Sequence, residues 1–270
     1  MNMLGLRFPG GCCAAALFLT ACAMAGCASA PRTAVSTSAA PTNEPSTLSI
    51  PNPTGSASAV PQSSVTPHIT GYEFPASLDP AGRYLFYLHG KIIEDQGLPA
   101  ISPDYGEYEY ASILKTLESH GFVVISEQRP KDTDADAYAQ KVLGQIDLLL
   151  KAQVPPGSIM VVGASKGGYI AATVSHLLEG PMVNFVLMGT CDPSMVDDWK
   201  LRQMSLHGNV LEIYDSADEY AGSCEELFRI SEGMGLGRHR EIVLHVGTGH
   251  GILYKPLDDW VLPTVEWTSE

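Results

Sequence analysis

Basic residues are scarce: the chain has 16 Lys and Arg against 30 Asp and Glu, a formal net charge of −14 over 270 residues. Nucleic-acid binders draw most of their affinity from basic patches, so this balance argues against a nucleic-acid partner. No C-x-x-C pair occurs among the six cysteines, and the usual zinc-site spacing is therefore missing. A Walker A loop is absent, and no G-x-G-x-x-G follows the first strand-like run. No internal repeat is found. These absences leave no metal and no organic cofactor to expect. What remains is 45% hydrophobic and 17% charged, the balance of a globular protein with a core.

The first thirty residues hold one positive charge, Arg7, and then a small-residue apolar run from Ala14 to Cys22, too short for a comfortable membrane span. Two stretches resemble the bacterial lipobox, Leu19-Thr20-Ala21-Cys22 and Met24-Ala25-Gly26-Cys27. The resemblance implies a lipoprotein-type signal peptide over 1–26, cleaved before Cys22 or Cys27, with that cysteine lipidated. Ordinary cleavage after Ala28-Ser29-Ala30 is the rival, disfavoured by Pro31. Residues 27–68 are mostly Ser, Thr, Ala and Pro with few large apolar side chains, and cannot offset their conformational entropy by burial. They read as a disordered tether holding a domain, 69–270, at a membrane of the bacterial cell envelope. Inner or outer membrane, and oligomeric state, are left open.

That domain, about 200 residues, has ordinary single-domain size. Short apolar runs alternate with helical patterns. Strands are expected at Tyr84-Leu-Phe-Tyr-Leu88, Phe122-Val-Val-Ile125, Ile159-Met-Val-Val162, Asn184-Phe-Val-Leu-Met188, Val210-Leu-Glu-Ile-Tyr214 and Glu241-Ile-Val-Leu-His-Val246. Helices are expected between them, at 108–120, 134–152, 166–178, 192–206, 224–234 and, after the last strand, 257–267. Continuous apolar strands each followed by a helix indicate an α/β fold with a mostly parallel sheet covered on both faces. Ligands in such sheets bind at the carboxyl ends of the strands.

Gly163-Ala164-Ser165-Lys166-Gly167 matches G-x-S-x-G between a strand and a helix, the context of a nucleophile elbow. Ser165 is the candidate nucleophile. A serine hydroxyl needs a positioned base, and His250, in Gly247-Thr-Gly-His-Gly251 after the last strand, is the candidate. His245, inside that strand, is its nearest competitor. Asp218, in the loop after Tyr214, is the candidate acid; Asp215 and Asp192 are the alternatives, Asp215 also as a brace for the loop.

Taken together, these residues resemble the α/β-hydrolase superfamily from about Tyr84 to Trp267. The resemblance implies an α/β-hydrolase fold without a large cap domain, since only about twenty residues separate Met188 from Val210. It also implies a serine hydrolase that forms an acyl-enzyme, with carboxylic esters as the default substrate. Leu88-His89-Gly90 resembles the start of the family's oxyanion-hole loop. Carried over, the backbone N–H of Lys91 or Gly90 and that of Lys166 hold the oxyanion, and His89 is structural. Lys166 stands where the family often has an uncharged residue; its ammonium is expected in solvent, or attracting an acidic substrate. Tyr105 and Tyr108 are candidate wall residues. Cys191 and Cys224 follow successive strands at one sheet end and are expected to form a disulfide, two buried thiols being the alternative. Two rival functions stay open: a non-catalytic envelope lipoprotein using the fold as a binding module, and a deacetylase of envelope polysaccharide.

Overall fold

The computed structural model describes residues 70–268. The expected signal peptide at 1–26, with Cys22 and Cys27, and the tether at 27–68 lie outside the described residues. Six strands form one sheet: β1 (Tyr84–Leu88), β4 (Val123–Ile125), β5 (Ile159–Ala164), β6 (Asn184–Met188), β7 (Gly208–Asp215) and β8 (Leu236–Leu244). Their order is β4-β1-β5-β6-β7-β8, and every neighbouring pair is parallel. A separate two-stranded hairpin joins β2 (Ile101–Ser102) to β3 (Gly106–Glu107).

Side chains alternate between the two faces of the central strands, as a pleat requires. Phe86, Val161, Phe185 and Leu187 pack with α3 (Ala135–Lys151), α4 (Lys166–Leu177), α5 (Pro193–Leu201) and α6 (Glu225–Ser231). Leu85, Tyr87, Met160, Val162 and Val186 pack with α1 (Lys91–Gln96), α2 (Tyr110–Ser119) and α7 (Asp258–Trp267). Both faces are covered by helices, which explains why the strands read as unbroken apolar runs. The expected mostly parallel sheet with helices on both faces is therefore the observed one. Among the described residues, the stretch between β6 and β7 holds only the short α5, and there is no large cap domain.

Successive strands fall on opposite sides of β1, with β4 on one and β5 on the other. The chain reverses its direction of build here, and a crevice opens beyond the carboxyl ends of β1 and β5. Those ends lead to His89-Gly90 and to Ser165.

Three local expectations change. β8 starts at Leu236 rather than Glu241, because its first residues, Leu-Gly-Arg-His-Arg, form a polar edge strand with no apolar run to signal it. It ends at Leu244, so His245 lies beyond the strand. The stretch from Lys91 to Glu107, where the sequence pattern marks no strand or helix, holds α1 and the small hairpin, both too short for a periodic signal.

Candidate active site

Ser165 is the one residue between β5 and α4, with φ +53° and ψ −118°. A positive φ costs a residue with a β-carbon about 1–3 kcal/mol and persists only where the surroundings impose it. Here the Ser165 N–H donates to the Met188 carbonyl at 2.9 Å. Strand β1 and helix α4 also approach so closely that a β-carbon at Gly167 would lie 1.8 Å from the Leu88 carbonyl oxygen, and one at Gly163 would lie 2.2 Å from the Gly167 carbonyl oxygen. No other residue fits there, so the small residues around Ser165 are a steric requirement of the turn.

His250 sits in a 3₁₀ turn, Gly249–Tyr254, beyond β8. Its Nδ1 lies 2.8 Å from Asp218 Oδ2. A carboxylate only accepts, so Nδ1–H donates and Nε2 is left as the basic nitrogen. Asp218 Oδ1 accepts the backbone N–H of Tyr220 at 2.9 Å and of Ala221 at 3.1 Å. Burial pushes the Asp218 carboxyl up, but the hydrogen bond and charge of His250, with these two N–H donors, outweigh it and hold it below the usual carboxylate range.

The competing residues are engaged elsewhere. Asp215 is buried and braces two loops, accepting the N–H of Ala217 and of Gly247, each at 2.8 Å. Asp192 caps α5, accepting from the N–H of Ser194 and Met195. His245 bonds Ser216 Oγ at 2.8 Å through Nδ1.

Ser165, His250, Gly90 and Lys91 line one cavity of about 300 Å³. Tyr105 and Tyr108, the candidate wall residues, line it too, joined by Tyr220 and Tyr254. Lys91 and Lys166 are each the first residue of a helix, so their N–H groups have no acceptor within it. A β-carbon at Gly90 would lie 3.8 Å from the Ser165 β-carbon, which puts the turn after β1 beside the serine.

His89 is fully buried. Its Nε2 accepts the Arg129 N–H at 2.9 Å, and its Nδ1–H bonds the Gly90 carbonyl at 2.8 Å. Burial, and then the Arg129 charge, lower its pKa to about 3. A ring kept neutral near neutral pH, with both nitrogens bonded, is a structural histidine.

Solved structures that resemble this chain are named as hydrolases and esterases. A carboxylesterase from Bacillus cereus is 16% identical, with 77% of this chain and 95% of that one covered and a TM-score of 0.47. A predicted CIB-like hydrolase from Thermoplasma acidophilum is 17% identical over 70% and 88% of the two chains, with a TM-score of 0.46. The esterase domain of a Rhodothermus marinus protein is 13% identical over 72% and 90%, with a TM-score of 0.44. No protein-family model matches the chain, and no curated protein matches it.

The Lys166 expectation needs correcting. Its ammonium neither stands free in solvent nor is available to a substrate: Nζ donates to Glu94 Oε2 at 2.5 Å and to the Thr133 carbonyl at 2.7 Å. The other Glu94 oxygen accepts from Arg129 Nε at 2.7 Å, and Glu94 and Arg129 are both fully buried. Lys91, which does line the cavity, is paired with Asp95. Neither Glu94 nor Arg129 was legible as a site residue, since nothing in the sequence marks a carboxylate in a presumed loop as the partner of a lysine 72 positions away.

Cys191 and Cys224 form a disulfide, with Cα atoms 5.3 Å apart. Beside it the Gly222 N–H donates to the Cys191 carbonyl, so the loop carrying Asp218 is fastened at its far end. Among the described residues, Cys191, Cys224 and Glu212 are close enough to one another to hold a metal, but in the disulfide neither sulfur is a thiolate ligand.

Proposed function

We propose that the protein is a serine hydrolase that cleaves carboxylic esters through an acyl-enzyme. One observation carries this reading: a serine at a strained strand-to-helix turn shares a cavity with a histidine whose far nitrogen is held by a buried aspartate. In the proposed reaction Ser165 attacks the ester carbonyl and His250 Nε2 takes the hydroxyl proton. The tetrahedral oxyanion is held by the N–H groups of Lys91 and Lys166. His250 then protonates the leaving alcohol, the ester C–O bond breaks, and the acyl group stays on Ser165 Oγ. Water, deprotonated by His250, releases the acid and restores the serine. Asp218 keeps His250 in the required tautomer and stabilises its cationic form.

A cavity of about 300 Å³, at the small end of ligand pockets, suits a short acyl group better than a long one. With Lys91 and Lys166 both paired to carboxylates, nothing favours an anionic substrate. For location, the N-terminal pattern supports a lipid-anchored protein of the cell envelope, acting on a small ester or an envelope-associated one.

The test is labelling with a fluorophosphonate probe beside a Ser165→Ala control. Labelling that vanishes in the control supports an activated serine and justifies a screen by acyl length. A folded wild type that takes no label removes this reading and brings the binding-module alternative forward.

A further inference from the structure

We infer that Glu94 is a positioning residue for the oxyanion hole: clamped between Arg129 and Lys166, it fixes where the N–H groups of Lys91 and Lys166 stand relative to one another. The inference rests on the serine-hydrolase reading above.

Glu94 lies three residues after Lys91 on the same short helix, so its position and that of the Lys91 N–H move together. Its side chain is fully buried, and each oxygen takes one cation, Arg129 Nε at 2.7 Å and Lys166 Nζ at 2.5 Å. Lys166 follows the nucleophile directly and supplies the second N–H. The same arginine donates from Nη2 to the His89 carbonyl, and its backbone N–H reaches His89 Nε2, whose ring bonds Gly90. One carboxylate thus ties the turn after β1 to the turn after β5, and each turn carries one of the two donors.

Apolar packing would hold these segments together at least as stably, because desolvating three charges is costly. What packing lacks is direction. An oxyanion hole needs donors within about 2.7–3.1 Å of one developing charge, and misplacement by about 1 Å can cost on the order of 100-fold in rate. Charge-assisted hydrogen bonds on both carboxylate oxygens supply that direction. The chain puts Lys166 at the position after the nucleophile, and the Glu94 clamp gives that lysine its purpose.

The test uses the purified full-length protein as wild type, Glu94→Gln, Glu94→Asp and Lys166→Met. Steady-state constants on a short-acyl aryl ester are expressed per site titrated with fluorophosphonate. Amide hydrogen exchange is followed in peptides covering 88–96 and 164–170. Expected are a fall in kcat of about 10- to 100-fold for Glu94→Gln with KM within about twofold, partial recovery in Glu94→Asp, and faster exchange in both segments. Lys166→Met, which keeps its backbone donor, moves in the same direction as Glu94→Gln.

Glu94→Gln raises the net charge of the cluster. A purely electrostatic role therefore predicts a higher kcat and overturns the inference. So does an unchanged kcat per titrated site, which would mean the carboxylate matters only for folding. If the wild type neither labels nor hydrolyses any ester, the serine-hydrolase reading fails. Exchange then decides the brace alone: faster exchange in both segments of Glu94→Gln upholds it, and unchanged exchange in either one sinks it.

Discussion

Gly189 packs directly against the ring of His250. A β-carbon at this glycine, whose φ is +53°, would lie 3.3 Å from His250 Nδ1 and Cε1 and 3.2 Å from Asp218 Oδ2. The end of β6 therefore forms the floor under the bond between the two side chains. Gly189→Ala should push the pair apart and force an unfavourable backbone conformation. We expect kcat to fall by about tenfold or more, with a stability loss of about 1 kcal/mol from the backbone. Steady-state kinetics and urea unfolding of the same variant check both; kinetics like those of the wild type would mean the ring tolerates the contact.

Asp218 and Asp192 should separate cleanly. Asp218→Asn replaces an acceptor-only carboxylate by a neutral amide that can also donate, so it no longer fixes the His250 tautomer, and kcat should drop by on the order of 10⁴. Asp192→Ala removes only a helix cap and should cost about 1 kcal/mol of stability, leaving kcat unchanged. The reverse pattern in a side-by-side assay would assign the acid to the wrong loop.

His89 makes the fold acid-sensitive. Its folded pKa, about 3, lies below the ordinary histidine value, so between roughly pH 6.5 and 3 the unfolded chain binds a proton that the folded chain does not. Stability from this group is full above pH 6.5 and is lost as pH falls through that window. Replacing it by Gln should therefore cost less at pH 4.5 than at pH 7.5. Urea midpoints at the two pH values measure the difference; an equal cost at both would mean His89 is protonated in the folded state.

Glu212 works in the opposite sense. It is fully buried beside the disulfide, and among the described residues neither carboxyl oxygen has a hydrogen-bond partner; the Thr190 backbone comes near without closing a bond. Burial pushes its pKa well above the ordinary value, and neighbouring Glu241 adds to the shift. Above about pH 4.5 the unfolded chain releases a proton that the folded chain keeps, so this residue makes stability fall as pH rises. Glu212→Gln should gain stability relative to wild type between pH 5 and pH 7, read from paired urea titrations. A constant difference across that range would show the buried carboxyl is ionised.

The layout of the fold was legible because its strands are buried on both faces, so each reads as an apolar run whatever its neighbours. β8 was half hidden for the converse reason: as an edge strand it exposes polar residues, and Leu-Gly-Arg-His-Arg carries no strand signal. At the site, Ser165 and His250 stood out because glycines flank both, and a backbone that must bend sharply leaves that trace in the sequence. Asp218 was favoured over Asp215 only by its place in the loop; the structure shows Asp215 bonded to Ala217 and Gly247. The Glu94–Arg129–Lys166 cluster left no trace, since a buried ion pair joins residues far apart in the chain by side chains that are common on surfaces. Gly189 was invisible for a similar reason: a turn glycine looks the same whether its missing β-carbon makes room for solvent or for a histidine.

The bond between Cys191 and Cys224 spans 33 positions, and all of β7 and the Asp218 loop lie inside the ring it closes. In the folded chain its sulfurs meet because β7 lies beside β6 and the loop turns back. A disulfide is not alkylated, so alkylation at these two positions, mapped by mass spectrometry, counts the chains in which the bond is open. That count can be taken before a single substrate is known, and it separates chains with β7 and the Asp218 loop enclosed in the ring from chains without that ring.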